Sequence, residues 1–333
     1  MISPAVSGDR FAAMQDAAPG LLLFNCESEA DATQKISEAV GLVGKITPDL
    51  LAAATQLEWV QTNTASLEHY IFPELAEHPA VLTNCRGLFG DVIAEHVFGL
   101  LLAMSRNLHL YRDRQREQRY EPVESEEAAT HKIDFAGGPV VVSAADLTHH
   151  RLQDWRLLIV GVGGIGAAIA TRAAAWGIAV AGVDPCRRQV VGVLPKIESP
   201  RRLSEIIGQF DAVVIAAPQT PDTVGLFDDA MLARMKLGSR LINVGRGPIV
   251  QTDAVVAALQ SGQLSAVGLD VFEDEPLPPD HPLWSLPGAI ITPHVAACSP
   301  AIAERHLRLL CDNLRRFDTG EPLRNVVDKS QWF

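Results

Sequence analysis

The chain has 333 residues, of which 47% are hydrophobic and 20% charged, and a formal net charge of −12. That length accommodates two domains with a core each, and an acidic balance without a basic run excludes the clustered Lys and Arg that nucleic-acid binding requires. Five cysteines without a C-x-x-C pair argue against a disulfide framework or zinc site and for a reducing compartment, and the most apolar stretch, 97–104, is far shorter than the roughly 20 residues of a membrane helix.

Residues 1–20 carry Asp9, Arg10 and Asp16 in a mixed stretch, without the basic head and apolar centre of a signal peptide. A cytoplasmic protein is expected. Over the first 90 residues, short apolar runs at 21–24, 39–43, 59–61 and 80–83 read as strands, and 48–56 reads as a helix. Such alternation predicts a small parallel α/β sheet. From Asp91 to about Gln118 the apolar residues Val92, Ile93, Val97, Leu100, Leu101 and Met104 recur at helical spacing. The charged end of that run, 112–119, reads as a solvated helix face. Residues 121–150, acidic at first and then carrying Gly137-Gly138-Pro139 and His149-His150, read as a surface excursion with some local order.

Beyond it the alternation is regular. Strands are expected at 157–160, 179–183, 212–217, 241–244, 266–271 and 290–292, with helices at 165–176, 228–235 and 253–260. Apolar strands without polar alternation imply burial on both faces, and six of them suit a doubly wound dinucleotide domain. A last helix opens at Ser299-Pro300, an N-cap followed by proline at the first helical position, and runs to about Phe317.

The strand at 157–160 leads into Gly161-Val162-Gly163-Gly164-Ile165-Gly166. In G-x-G-x-x-G the first glycine permits a tight turn, the second lets the backbone approach a pyrophosphate, and the third lets the helix pack closely on the strand. The phosphates then meet the free N–H groups of a helix N-terminus. Gly161, Gly163, Gly164, Ile165 and Gly166 are thus candidate cofactor residues. The motif alone is weak evidence. It gains from Asp184, which ends the next strand 18 residues after Gly166. A carboxylate there accepts ribose hydroxyls and repels a 2′-phosphate, so NAD(H) is preferred. Arg187 and Arg188 follow closely and leave NADP(H) open.

Three polar residues follow the later strands: Arg246 in Asn243-Val244-Gly245-Arg246-Gly247, Glu275 in Asp270-Val271-Phe272-Glu273-Asp274-Glu275, and His294 in Thr292-Pro293-His294. Ligands of open α/β sheets bind beyond the carboxyl ends of strands. Hydride arriving at a keto carbon puts negative charge on its oxygen, which needs a proton donor. Histidine suits that work, and a neighbouring carboxylate favours the charged ring and orients it. Arginine supplies a planar donor fork for a substrate carboxylate. Singly, each has a plainer reading: one of ten histidines, a loop arginine, an exposed acid. Their order, each past a strand, carries the functional one.

These segments, together with His281-Pro282-Leu283-Trp284, resemble the D-isomer-specific 2-hydroxyacid dehydrogenase family over about residues 59–317. The resemblance implies Arg246 as substrate binder, Glu275 as partner of the histidine and His294 as acid/base; Asn243 and Asp270 are counted with the cofactor residues. It implies a doubly wound Rossmann dinucleotide-binding domain (91–295) inserted in a smaller flavodoxin-like substrate domain (1–90 and 296–333). It also implies a homodimer paired through the helical run that begins at Asp91. The expected activity is hydride transfer between NAD(H) and a small 2-keto or 2-hydroxy acid, of the glyoxylate or hydroxypyruvate kind. Three departures stand out. Where the family often has Ala-Gly in the loop that cradles the substrate carboxylate, this chain has Ala65-Ser66. Residues 121–150 are longer than usual, and the C-terminal regulatory extension of some phosphoglycerate dehydrogenases is not expected. Two alternatives remain open: a phosphite-type oxidoreductase and an NAD-sensing binding protein similar to the related corepressors. Formate oxidation is disfavoured, because formate enzymes typically place glutamine where Glu275 stands.

Overall fold

A computed structural model describes residues 1–68, 70–123 and 144–330. The chain divides into two compact units, Met1–Phe89 with Cys298–Phe333, and Gly90–Ala297. The second is therefore inserted in the first.

The first unit runs β1 (Ile2–Ser3), α1 (Gly8–Ala17), α2 (Glu29–Lys35), β2 (Gly41–Gly44), α3 (Pro48–Ala53), β3 (Trp59–Gln61), α4 (Pro73–Glu77) and β4 (Val81–Thr83). The four strands are parallel, in the order β1-β2-β3-β4. The strand expected at 21–24 is not one. Its extended chain meets β1 at a single bridge, Ile2 to Asn25, where the Ile2 N–H donates to Phe24 O and the Cys26 N–H to Ile2 O. Pro4 lacks the N–H that would continue the ladder, so β1 stops after two residues and 21–24 has little to pair with. Counting that bridge, the chain crosses the sheet in the order second, first, third, fourth, fifth, which is the flavodoxin order.

The second unit runs α5 (Gly90–Ser105), α6 (Leu108–Arg116), α7 (Ala144–Thr148), β5 (Arg156–Val160), α8 (Gly164–Ala175), β6 (Ala179–Val183), α9 (Leu203–Ile206), β7 (Ala212–Ile215), α10 (Asp229–Arg234), β8 (Ser239–Asn243), α11 (Thr252–Gln260), β9 (Leu264–Leu269) and β10 (Ala289–Ile291). Its six parallel strands lie in the order β10-β9-β8-β7-β5-β6. Val183 also bridges to Glu198 beyond β6, a one-residue trace of a further strand. The order reverses between β5 and β7, which is where such sheets open a crevice for ligands. Leu157 to Val160 on β5 and Ala212 to Ile215 on β7 are all buried, as expected of strands covered on both faces. One face packs Leu158, Val160, Val213, Ile215, Leu241, Val267 and Leu269 into a core with residues of α9, α10 and α11. On the other, Gly166 of α8 lies against Ile159, and Leu100 and Met104 of α5 lie over Gly268.

The helical run 91–118 is two helices, not one. Asn107 takes a left-handed conformation, φ 55°, and its amide donates to Thr148 O, so the chain turns between α5 and α6. The charged segment is solvated as expected, with exposed pairs Arg116–Asp113 and Arg119–Glu117. Most of the excursion at 121–150 lies outside the described residues, and α7 is its described order.

The last helix, α12 (Pro300–Thr319), starts at Ser299, whose hydroxyl accepts from the Ala301 N–H, and ends at Gly320, φ 73°. It returns to the first unit. Leu310 and Leu314 join Ile2, Met14, Val43 and Trp59 in one core, while Leu42, Val60, Leu82, Leu51 and Leu75 form the core of the opposite face. Asn313 donates to Gln61 Oε1 at 2.7 Å and accepts from the Arg324 N–H. Thr83 donates to Gln61 Oε1 and takes the Trp59 indole N–H. A wholly buried polar chain thus ties α12 to β3 and β4.

Candidate active site

The glycine loop follows β5 directly. Gly161 has φ 89°, and a Cβ there would stand 2.5 Å from Ala217 N; one at Gly166 would stand 2.1 Å from Gly161 O. Only glycine fits either place. Gly163 and Gly164, by contrast, face space with nothing within 4 Å of a Cβ position. Gly163 is the N-cap of the 12-residue α8, so this open space lies before the helix N–H groups, Ile165 in its first turn. A dinucleotide pyrophosphate fits such a cradle.

Asp184 ends β6, buried, and its carboxylate stitches two segments together. Oδ2 accepts the Val162 N–H at 2.8 Å, and Oδ1 accepts those of Cys186 and Arg187 at 2.9 and 2.7 Å. The predicted ribose acceptor therefore also fixes the shape of the glycine loop. Arg187 and Arg188 are exposed, and the Arg187 guanidinium donates to Gly163 O at 3.2 Å, which puts a cation at the rim of the cradle.

Arg246 leaves β8 on a turn held by Asn243. The Asn243 amide N–H donates to Arg246 O at 2.9 Å, and its oxygen accepts the Gly245 N–H at 3.0 Å. Asn243, counted among the cofactor residues from sequence, has both ends of its amide on this turn. The turn abuts the loop of Glu275, since a Cβ at Gly247 would meet Phe272 O at 1.6 Å. Arg246 itself is half-buried, with one nitrogen donating to Gly245 O.

Glu275 and His294 meet although they follow different strands, β9 and β10. His294 Nδ1 lies 2.8 Å from Glu275 Oε2, with the side chains 51% and 37% exposed. Glu275 Oε1 accepts the Phe272 N–H at 3.0 Å, so the carboxylate is braced from its own loop. Held by Nδ1, the ring keeps Nε2 for a second partner. His294 has a left-handed backbone, φ 54°. Only a few per cent of residues other than glycine do so.

Asp270, 2% exposed, holds that loop from below. Oδ1 accepts the Thr292 hydroxyl at 2.6 Å and the Val295 N–H at 2.9 Å; Oδ2 accepts the Ala296 N–H at 2.9 Å, and its carbonyl accepts the His294 N–H at 2.8 Å. Asp270 was also counted with the cofactor residues; its geometry is that of a loop anchor. The share taken by Thr292 was not read from the sequence, although its place just before Pro293-His294 is the one signal that pointed to it.

Ala65 and Ser66 lie in the first unit, half-buried in the loop after β3. Their carbonyls are tied: Asn84 donates to Ala65 O and Thr64 to Ser66 O, at 2.8 and 2.6 Å. Serine in place of glycine is accommodated in this loop.

Residues 98–296 match the model of the D-isomer specific 2-hydroxyacid dehydrogenase NAD binding domain. The chain is 31% identical over 290 residues to a glyoxylate reductase of Thermofilum pendens, covering 86% of this chain and 80% of that one. It is 28% identical over 310 residues to glyoxylate/hydroxypyruvate reductase B of Serratia proteamaculans, covering 93% and 89%. A D-isomer specific 2-hydroxyacid dehydrogenase family protein from Aeromonas salmonicida superposes with a TM-score of 0.75 at 31% identity over 96% of each chain. The NADPH-dependent glyoxylate/hydroxypyruvate reductase from Sinorhizobium meliloti, solved with NADP and sulfate, does so with a TM-score of 0.78 at 25% identity over 100% of this chain and 98% of that one. With a glycine cradle, an arginine turn and a histidine–glutamate pair on one parallel sheet, the chain belongs to the D-isomer specific 2-hydroxyacid dehydrogenase family, oxidoreductases of 2-hydroxy acids.

Proposed function

We propose that the chain reduces small 2-keto acids, of the glyoxylate and hydroxypyruvate kind, to the corresponding 2-hydroxy acids, of D configuration where the carbon becomes chiral, with NAD(H), and catalyses the reverse oxidation. The observation that carries this reading is the 2.8 Å contact of His294 Nδ1 with Glu275 Oε2, at the carboxyl end of the sheet that bears the glycine cradle. The substrate class follows the relatives, which are glyoxylate and glyoxylate/hydroxypyruvate reductases.

A reduced nicotinamide, when bound, would supply a hydride for the carbonyl carbon. Glu275, accepting at Nδ1, fixes the ring so that Nε2 carries the proton for the carbonyl oxygen as negative charge gathers there. Arg246 grips the substrate carboxylate and polarises the carbonyl; its donor fork suits both tasks. In the first unit, the backbone N–H groups of Ala65 and Ser66 are the kind of donors that bind a carboxylate. Gly161, Gly163, Gly164, Ile165 and Gly166 would hold the pyrophosphate, and Asp184 the adenosine ribose. The first unit serves as substrate domain and the second as cofactor domain.

We also infer a cytoplasmic two-fold homodimer paired through α5, whose partners are small acids and not nucleic acid. Among the described residues, no helix is long and apolar enough to cross a membrane. The direct test is NADH oxidation with a panel of 2-keto acids, run alongside sedimentation. Turnover of glyoxylate or hydroxypyruvate is expected. Silence across the panel with NADH still bound would replace the enzyme with an NAD-sensing binding protein.

A further inference from the structure

We propose that His96, on α5, is a positioning residue for His294, acting through the hydroxyl of Thr292. The proposal rests on the reading of His294 as the acid/base.

The side chain of His96 is 21% exposed, and its Nε2 lies 3.1 Å from Thr292 Oγ1. Thr292 gives its single hydroxyl proton to Asp270 Oδ1 at 2.6 Å. Its oxygen therefore has only lone pairs to offer His96, so the His96 ring donates from Nε2–H. The direct approach of His96 Nε2 to Asp270 Oδ1 is 3.9 Å, too long for a hydrogen bond. The hydroxyl is the connecting group. A chain of donors results, from His96 through Thr292 to Asp270, each link polarising the next.

The far end of this chain is the loop that carries His294. Asp270 receives the Val295 and Ala296 N–H groups on its carboxylate and the His294 N–H on its carbonyl. His294 holds φ 54°, a conformation that persists only where its surroundings impose it. A hydroxyl turns to suit its partners, and a donor on its lone pairs strengthens the bond its proton makes. His96 engages the lone pairs and so aims the proton at Asp270. α5 is a 16-residue helix with Ile93, Ala94, Val97 and Leu100 buried, which makes it a rigid base for the chain. Without the ring, the Thr292 oxygen loses its donor, one of the four bonds that Asp270 accepts loses that support and weakens, and the His294 ring loses its alignment. Proton transfer is sensitive to such shifts, because a displacement of about 1 Å costs on the order of 100-fold in rate.

The test is steady-state reduction of glyoxylate by NADH, with kcat and KM measured separately for His96→Ala, His96→Gln, Thr292→Val and His294→Ala, and NADH affinity by fluorescence. His96→Ala is expected to lower kcat by roughly tenfold or more, with NADH affinity near that of the parent. His96→Gln places an amide N–H where Nε2–H stood, and is expected to restore most of kcat. Thr292→Val should match His96→Ala, and the double variant should lose no more than either alone. If His96→Ala fails to fold, His96→Gln and Thr292→Val decide, the first active and the second impaired. Parent-like kcat in His96→Ala while His294→Ala is inactive would overturn this proposal alone. Equal loss in His96→Ala and His96→Gln would reduce His96 to packing and overturn it too. Near-normal turnover in His294→Ala would instead remove the acid/base reading beneath it.

Discussion

His294 and Glu275 hold each other at 2.8 Å across a separation of 19 residues, one following β10 and the other β9. Both side chains are substantially exposed, and exposed pairs contribute little to stability. The contact therefore fits the acid/base role proposed for it. His294→Ala should lower kcat for 2-keto acid reduction by about 10²–10⁴-fold, the range of a lost general acid, while NADH still binds at the glycine cradle. Glu275→Gln should also lower kcat, with a melting temperature close to that of the parent. The checks are steady-state kinetics, NADH titration and calorimetry. Near-normal turnover in either variant would dissolve the pair.

Arg246 stands on a turn that Asn243 staples from both ends of its amide. Hydrogen bonds to charged groups contribute about 1.5–3 kcal/mol each, so Arg246→Ala should reduce kcat/KM for glyoxylate at least tenfold. Lysine lacks the planar fork and should recover only part of it. NADH affinity should change far less. Unaltered ketoacid kinetics would take Arg246 out of the site.

Asp184 should give NADH the advantage over NADPH, because a 2′-phosphate beside a buried carboxylate is repelled. Arg187 and Arg188 at the rim pull the other way. Asp184→Asn removes the charge and keeps one acceptor oxygen, enough for the Cys186 and Arg187 N–H groups, while its amide nitrogen faces the Val162 N–H. It should raise kcat/KM with NADPH relative to NADH, and Arg187→Ala should lower it. A parent enzyme that prefers NADPH would mean that the arginines outweigh the carboxylate.

The five cysteines are free, and their environments separate them. Burial pushes the Cys85 thiol up to about 12, against a smaller opposing pull from its hydrogen bond with Gln61. Burial raises Cys26 as well. Cys186 and Cys298 are exposed. At about pH 8.5, the ordinary thiol range, iodoacetamide should label Cys186 and Cys298 in the native protein and reach Cys85 and Cys26 only in denaturant. Peptide mass spectrometry reads the order, and Cys85 labelled as fast as Cys186 would contradict the buried environment described for it.

Asn313 carries the return of α12 to the first unit through its bonds to Gln61 and Arg324. Truncation strands buried partners, each costing about 1–3 kcal/mol. Asn313→Ala should therefore lower the urea midpoint with little change in the slope. An unchanged midpoint would mean that the chain of Gln61, Thr83 and Asn313 has another support.

Much of this was written locally in the chain. A parallel strand covered on both faces is a short apolar run, and its ligand residues follow at its carboxyl end. The strands expected at 157–160, 179–183 and 212–217 (the last ending at Ile215), the glycine loop, and Arg246, Glu275 and His294 as polar residues past strands were legible for that reason. Ser299-Pro300 announced the last helix in the same way, since capping is a matter of adjacent residues. What escaped was whatever depends on a partner far along the chain. Ile2–Ser3 is a strand because Val43 and Gly44 lie beside it, whereas 21–24 has the composition of a strand and only one bridging residue next to it. The break at Asn107 is set by a bond to Thr148, 41 residues on. Asp184, Asn243 and Asp270 were readable as polar residues at strand ends, but that their side chains bind backbone N–H and carbonyl groups was not. Hydrogen-bond partners are chosen by distance and direction in space, and a buried carboxylate or amide takes whichever groups the packed chain brings to it. The identity of the candidate site residues is thus a property of the sequence, while their alignment, His294 held by Glu275 and its loop by Asp270, exists only once β8, β9 and β10 lie side by side.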